Sequence, residues 1–249
     1  MTRTILLKEK NIFEGNLILV NSFYLLQQEE VNLSQFQLEK EIMLDYRCAT
    51  MLEACIKEWG YASELVAVSG YRSYETQKKL WDNSIREHGE EYTRRFVAIP
   101  KASEHQTGLA VDLGKKQEQV DFICPELPYD GIFASLRSLL VKYGFAERYL
   151  LGKEEITCIH NEPWHFRYVG FPHSEIMTQN QWVLEEYQAV LKQYTAQCPL
   201  RYTTKQVCFE IFYVEVKTET KEINLSKQDL YQISGNNMDG VVVTTWRRI

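Results

Sequence analysis

A carboxylate stands inside a compact apolar stretch, Gly108-Leu109-Ala110-Val111-Asp112-Leu113. An ionised side chain between Val111 and Leu113 is costly to bury unless it is paired or bound to a metal. Any fold that uses this stretch as a strand must therefore bring a partner to Asp112. On a strand, Ala110 and Asp112 share one face, while Leu109, Val111 and Leu113 share the other. Asp112 thus leaves the core side, and His105 can meet it across a bend at Gly108. A strand-end aspartate bonded to loop backbone accounts for the same residues equally well.

A second cluster carries the argument further. Glu162-Pro163-Trp164-His165 sets a carboxylate just before a rigid proline, which biases Glu162 to extended backbone. The stretch Pro163 to Val169 alternates strictly, with Trp164, Phe166 and Tyr168 on one side and His165, Arg167 and Val169 on the other. One strand-borne histidine is usually structural. Two histidines and an aspartate make a set of N, N and O ligands suited to catalytic zinc, which keeps one position open for water. Glu162 can then act as a general base. Arg72, in Ser69-Gly70-Tyr71-Arg72-Ser73, is either a surface charge or a guanidinium placed to stabilise an oxyanion.

Composition narrows the partners. The chain has 28 Lys+Arg against 34 Asp+Glu and a formal net charge of −6. With no long basic run, it reads neither as a nucleic-acid platform nor as a polybasic membrane anchor. No stretch reaches the ~18 consecutive apolar residues of a membrane span. At the N-terminus, Ile5-Leu6-Leu7 gives way at once to Lys8, Glu9 and Lys10, too short for a signal peptide, so a cytoplasmic location is expected. Six dilute, irregularly spaced cysteines with no C-x-x-C pair read as reduced thiols.

The coarse pattern predicts a strand at Leu17–Val20 and a helical region from Asn32 to Trp59 closed by Gly60. A short strand at Leu65–Val68, a helix over Glu75–Arg86 and a further short helix before Pro100 follow. Asp130 is the expected N-cap of a helix ending at Tyr143-Gly144. A strand edge is expected at Ile156–Ile159 and a helix from about Ser174 to Tyr194. Beyond that, Val207–Val216, Lys221–Leu225 and Val241–Trp246 are β-branched and aromatic, with a turn cluster at Ser234 to Asn237. The expected class is α+β: a central, mainly antiparallel sheet with flanking helices and a zinc site in residues 1–194, then a small β-rich appendage in 195–249.

The S-x-H-x-x-G-x-A-x-D pattern from Ser103 to Asp112, followed about fifty residues later by E-P-W-H, resembles the zinc D-alanyl-D-alanine peptidases of the VanY and VanXY group. These belong to the larger lysostaphin/D-Ala-D-Ala peptidase/hedgehog fold class. Gly70-Tyr71-Arg72-Ser73 with Gln77, Tyr143-Gly144-Phe145, Arg148-Tyr149 and Phe166-Arg167-Tyr168-Val169-Gly170 match as well. The resemblance spans about Leu17 to Leu191. It implies zinc held by His105, Asp112 and His165, Glu162 as the base, and Arg72 on the developing negative charge. It also implies Ser103 and Gln77 at the substrate's terminal carboxylate, with Tyr71 and Trp164 lining the cleft or packing beside it. The implied substrates are D-Ala-D-Ala and UDP-muramyl-pentapeptide precursors, the targets of vancomycin-type glycopeptides.

Two other functions fit the same residues: an endolysin-like L,D-peptidase, and a non-catalytic module that keeps zinc for stability. The appendage suggests a packing or dimer role, leaving monomer and homodimer open. Of the remaining histidines, His160 is either a loop residue or a partner of the site, His88 reads as a helix C-terminal residue, and His173 receives no role.

Overall fold

The first strand of the chain finds its partner more than two hundred residues later. In the computed structural model, which describes residues 1–27, 30–216 and 220–249, Thr2–Leu7 forms strand β1 and pairs antiparallel with Lys221–Ser226. The chain divides into two compact units, Met1–Leu19 with Leu184–Ile249, and Val20–Val183.

The continuous unit carries the candidate site. Leu33–Gln35 (β2) and Met43–Asp45 (β3) form a hairpin that leads into α1, Tyr46–Trp59. The Asp45 carboxylate caps α1 by accepting the Arg47 N–H, and Gly60 closes it at φ 81°, the left-handed conformation that glycine tolerates. The helical region expected from Asn32 therefore begins only at Tyr46. Apolar spacing of three to four persists through the hairpin, but the Asp45 cap sets the true start. Along α1, Cys48, Leu52, Cys55, Ile56 and Trp59 recur on one buried face.

The next elements are β4 (Leu65–Ser69), α2 (Tyr74–His88), α3 (Glu90–Phe96) and β5 (Ala110–Lys115). After them come α4 (Gly131–Lys142), β6 (Phe145–Glu147), α5 (Glu154–Thr157), β7 (His165–Tyr168) and α6 (His173–Asn180). Four of the strands make one antiparallel sheet in the order β4-β5-β7-β6. One face joins α1 and α4 in the main core, where Val111, Leu113 and Phe166 meet Leu52, Ile56, Leu136 and Leu140. The period-two alternation sends Asp112 and His165, direct cross-strand partners, to the opposite face. A register shift between Ala67 and Ser69 sets Ser69 opposite Asp112 and starts the turn that carries Arg72.

Two further expectations change here. The segment at Ile156–Ile159 holds the end of the short helix α5 rather than a strand edge. The single helix expected over Ser174–Tyr194 is two helices, because Gln181 adopts φ 54° and ends α6 before the second begins.

That second helix, α7 (Leu184–Leu191), belongs to the other unit with β8 (Leu200–Thr203), β9 (Val207–Glu215), β10 (Lys221–Ser226), β11 (Leu230–Gly235) and β12 (Gly240–Arg248). The four-stranded sheet runs β11-β12-β9-β8, and β10 pairs with β1. Leu7 and Ile12 pack with Phe212, Val214, Leu225, Val241 and Val243, so the N-terminal segment completes the β-rich core. Leu17–Val20, expected as a strand, is fully buried yet joins no sheet. Its backbone bonds largely to side chains instead: Leu17 N–H donates to Ser234 Oγ at 2.8 Å, Gln188 Nε2 donates to Leu17 O at 2.6 Å, and Asn237 Nδ2 donates to Leu19 O at 2.9 Å, while Leu19 N–H donates to the Asn236 carbonyl at 3.2 Å. No helix among the described residues is long and apolar enough to cross a membrane.

Candidate active site

A short 3₁₀ turn, Glu104–Thr107, ends at Gly108 (φ 71°) and feeds β5, so His105 and Asp112 converge from the two ends of one segment. A side chain at Gly108 would collide with the Asp45 backbone nitrogen at 2.9 Å, which makes glycine obligatory at this bend. His105 Nδ1 lies 2.7 Å from Gly70 O and Nε2 lies 3.1 Å from Asp112 Oδ2. His165 Nδ1 lies 2.9 Å from Asp112 Oδ1, and its Nε2 lies 3.1 Å from Glu104 Oε2. His105, Asp112 and His165 are all buried.

A carbonyl and a carboxylate can only accept, so His105 carries its hydrogen on Nδ1 and His165 carries one on Nε2. Each ring then turns its other nitrogen toward the Asp112 carboxylate. Lone pairs facing a carboxylate need a cation between them, either a proton or a metal. One ligand atom from each residue lies within 4.8 Å of the other two, and the group fits a metal ion. Tetrahedral zinc with ligand bonds of about 2.0–2.1 Å sets its ligands about 3.3 Å apart, close to the spacing seen. The charges point the same way. Burial pushes the Asp112 carboxyl up, but the two histidines outweigh it and hold it well below the usual carboxylate range. Burial alone would lower His165, yet its bonds to Asp112 and Glu104 raise it to about 9. His105 is lowered by burial and by the Arg72 charge.

Arg72 reaches the same carboxylate, with Nη2 3.3 Å from Asp112 Oδ2, and donates from Nε to Ser69 Oγ at 3.0 Å. Glu162 sits above the group with Oε2 3.8 Å from His165 Nδ1. Burial, assisted by Asp112 and Glu104, pushes the Glu162 carboxyl up to about 7, against the lowering influence of His165 and Arg72.

These residues line a cavity of about 270 Å³, together with Ser103, Gln77, Trp164 and Tyr149. Gln77 is buried and donates from Nε2 to Ala98 O at 2.8 Å, while its Oε1 has no partner among the described residues. Tyr71 does not line this cavity; its backbone N–H donates to Met43 O at 2.7 Å. His160 lies outside the His105/Asp112/His165 group and stacks on Phe96, ring centres 4.7 Å apart. The His88 ring continues that row through Tyr92.

The sequence patterns give no part to four residues that the structure brings to the group: Glu104, Arg148, Tyr149 and Arg167. Glu104 is fully buried behind His165, with Oε1 2.9 Å from Arg167 Nη1 and 3.1 Å from Arg148 Nε. Both arginines are 0% exposed. Burial pushes the Glu104 carboxyl up, but the two guanidiniums outweigh it and hold it well below its ordinary value. The signal in the sequence is Arg167 between Phe166 and Tyr168, where an unpaired charge is not tolerated. Tyr149 stacks on His165 at 5.2 Å.

A buried His/Asp/His group that fits a metal ion, opened to a cleft beside a carboxylate and a guanidinium, defines a metallopeptidase-type hydrolase centre. Residues 35–171 match the model of the VanY family, D-alanyl-D-alanine carboxypeptidase, and the chain belongs to that family. The bifunctional D-Ala-D-Ala dipeptidase and D-Ala-D-Ala carboxypeptidase VanXYC of Enterococcus gallinarum is 43% identical over 156 residues, 62% of this chain and 82% of the relative. The crystal structure of the vancomycin resistance D,D-dipeptidase VanXYg with a D-Ala-D-Ala phosphinate analogue is 44% identical, with a TM-score of 0.96 over 99% of this chain and 100% of that one. A variant of the D,D-pentapeptidase VanY from a VanB-type resistance cassette, in complex with Zn(II), is 29% identical with a TM-score of 0.58 over 70% of this chain and 98% of that one. The resemblance carried by the motifs holds, as does the α+β class.

Proposed function

We propose that this chain is a zinc-dependent D,D-peptidase that hydrolyses D-Ala-D-Ala and removes the terminal D-Ala of UDP-muramyl-pentapeptide precursors. The observation that supports it most is the pairing of the His105/Asp112/His165 group with Glu162 in one cleft. A module that held zinc only for stability would need neither Glu162 nor Arg72 there.

His105 Nε2, Asp112 and His165 Nδ1 would hold the zinc, and the metal when bound supplies Lewis-acid polarisation of the scissile carbonyl and lowers the pKa of a water toward ~7. Glu162, raised to about 7, takes a proton from the attacking water as the new C–O bond forms. The carbonyl oxygen gains the negative charge, and the Arg72 guanidinium offsets it. Glu162 then delivers its proton to the amine nitrogen as the C–N bond breaks, releasing D-alanine. Ser103 offers a hydroxyl to the terminal carboxylate. Gln77 has a second amide hydrogen for the same carboxylate, and its unpartnered Oε1 can accept an N–H of the substrate. Trp164 walls the cleft. Acting on nucleotide-linked precursors places the activity in the cytoplasm and links it to glycopeptide resistance.

The test is D-alanine release by zinc-loaded protein from D-Ala-D-Ala and from UDP-muramyl-pentapeptide, beside Glu162→Ala. Release from both, lost in the variant, is the expected result. Release from one alone would confine the cleft to that substrate length, and release from neither would overturn the reading.

A further inference from the structure

Glu104 is 1% exposed and both its carboxylate oxygens are taken up by neighbouring side chains, so the hydrolysis proposed above gives it no direct part. Its two oxygens meet different neighbours. Oε1 is clamped by Arg167 Nη1 at 2.9 Å and by Arg148 Nε at 3.1 Å, while Oε2 lies 3.1 Å from His165 Nε2. Arg167 and His165 occupy alternate positions of β7 and so reach the same carboxylate from one face of the strand. Arg148 stands just past the end of β6, and its backbone N–H donates to His165 O at 2.9 Å, which ties the arginine to the histidine it helps to orient.

The two histidines are set in opposite senses. His105 is held through Nδ1 by a neutral backbone carbonyl, Gly70 O, whereas His165 is held through Nε2 by a charged side chain. A carboxylate accepts and never donates, so Nε2 of His165 must carry a hydrogen and Nδ1 is left to face Asp112. A carboxylate behind a ligating imidazole also raises its basicity.

We propose that Glu104 is a positioning residue: braced by Arg148 and Arg167, it holds the Nε2–H of His165 and thereby presents Nδ1 to the metal of the His105/Asp112/His165 group. The proposal rests on the metallopeptidase reading above.

Glu104→Asp separates the two duties. It keeps a negative charge for the arginines but draws the carboxylate back by about 1.5 Å, one carbon–carbon bond, from His165. The measurements are zinc affinity by chelator competition and NMR of protein carrying isotope-labelled histidine and NMR-active cadmium. The expected result is coupling from cadmium to Nδ1 of His165, a slowly exchanging hydrogen on Nε2, and zinc binding roughly 10- to 100-fold weaker in Glu104→Asp. Coupling to Nε2 of His165, or a variant affinity within about twofold of the wild type, overturns the proposal. Should the variant fail to fold, the spectrum of the unaltered protein decides alone. Metal binding that survives His165→Ala would overturn the site reading and the proposal with it, a result told apart because no Glu104 variant is needed to see it.

Discussion

The two compact units bury polar side chains for opposite ends. In the unit of residues 1–19 and 184–249, the buried polar residues are uncharged: Asn16, Gln188, Ser234, Asn236, Asn237, Thr244 and Thr245. Several of them close the backbone of an irregular apolar segment that has no strand to pair with. In residues 20–183, the buried set includes Glu104, His105, Asp112, Arg148, His165 and Arg167. Among the described residues, every buried carboxylate, guanidinium and imidazole lies in this second unit. A neutral amide that finds one carbonyl is finished, whereas a buried ion recruits counter-ions until the cluster balances. The first kind of burial makes structure, and the second leaves a face of lone pairs on which chemistry can be built.

The comparison breaks if activity does not depend on the charged cluster. Chelation of zinc should abolish D-alanine release, and stoichiometric zinc should restore it, read in a continuous amine-release assay. Glu162→Gln should lower kcat by about 10³-fold while leaving the melting temperature near that of the parent, because the side chain stays on the cleft wall and only its proton chemistry is removed. A variant that melts early and keeps its turnover would show Glu162 to be structural.

The other side of the comparison is tested by Ser234→Ala. It leaves the Leu17 N–H buried without its 2.8 Å acceptor, and about 1–3 kcal/mol of stability should be lost in urea unfolding. The kcat/KM of the folded fraction should not change. A fall in kcat/KM would mean that the neutral cluster feeds the site after all.

His173 gives the smallest effect and sharpens the distinction, since it is a buried imidazole outside the charged cluster. Burial pulls it down from 6.5 to about 3. Above pH 6.5 it is neutral folded or unfolded and costs nothing in protons. Below that, the unfolded chain takes up a proton that the folded one refuses, so stability falls until pH nears 3. Between pH 7.5 and 5.5 this amounts to about 1.4 kcal/mol, which His173→Gln should remove from the slope of metal-free protein in urea titrations at the two pH values.

Much of the site was legible because strand alternation and the expense of burying charge are local facts. Asp112 among valine and leucine, and His165 two positions from Arg167, both announce a polar face on an otherwise apolar sheet. The part of Glu104 was not legible, since its meaning depends on Arg148 and Arg167, which approach only after the sheet has assembled. The fold shows the same division. Periodicity marked α1, α2 and α4, but it ran on through the β2–β3 hairpin, where the Asp45 cap sets the helix start. It also ran on across Gln181, whose left-handed backbone leaves no trace in the apolar spacing. Leu17–Val20 has the composition of a strand, and only the side chains of Ser234, Gln188 and Asn237 reveal why it needs no ladder.

Because β1 pairs with β10, the chain is synthesised in a nested order. By the time Val183 leaves the ribosome, all of residues 20–183 are available to collapse around the antiparallel sheet, while β1 has waited through that whole interval without its partner strand. The site-bearing unit can thus mature inside a chain whose two ends have yet to find each other. A stop codon before Lys221 would deprive the opening residues of their strand partner while leaving every residue of the cleft already made.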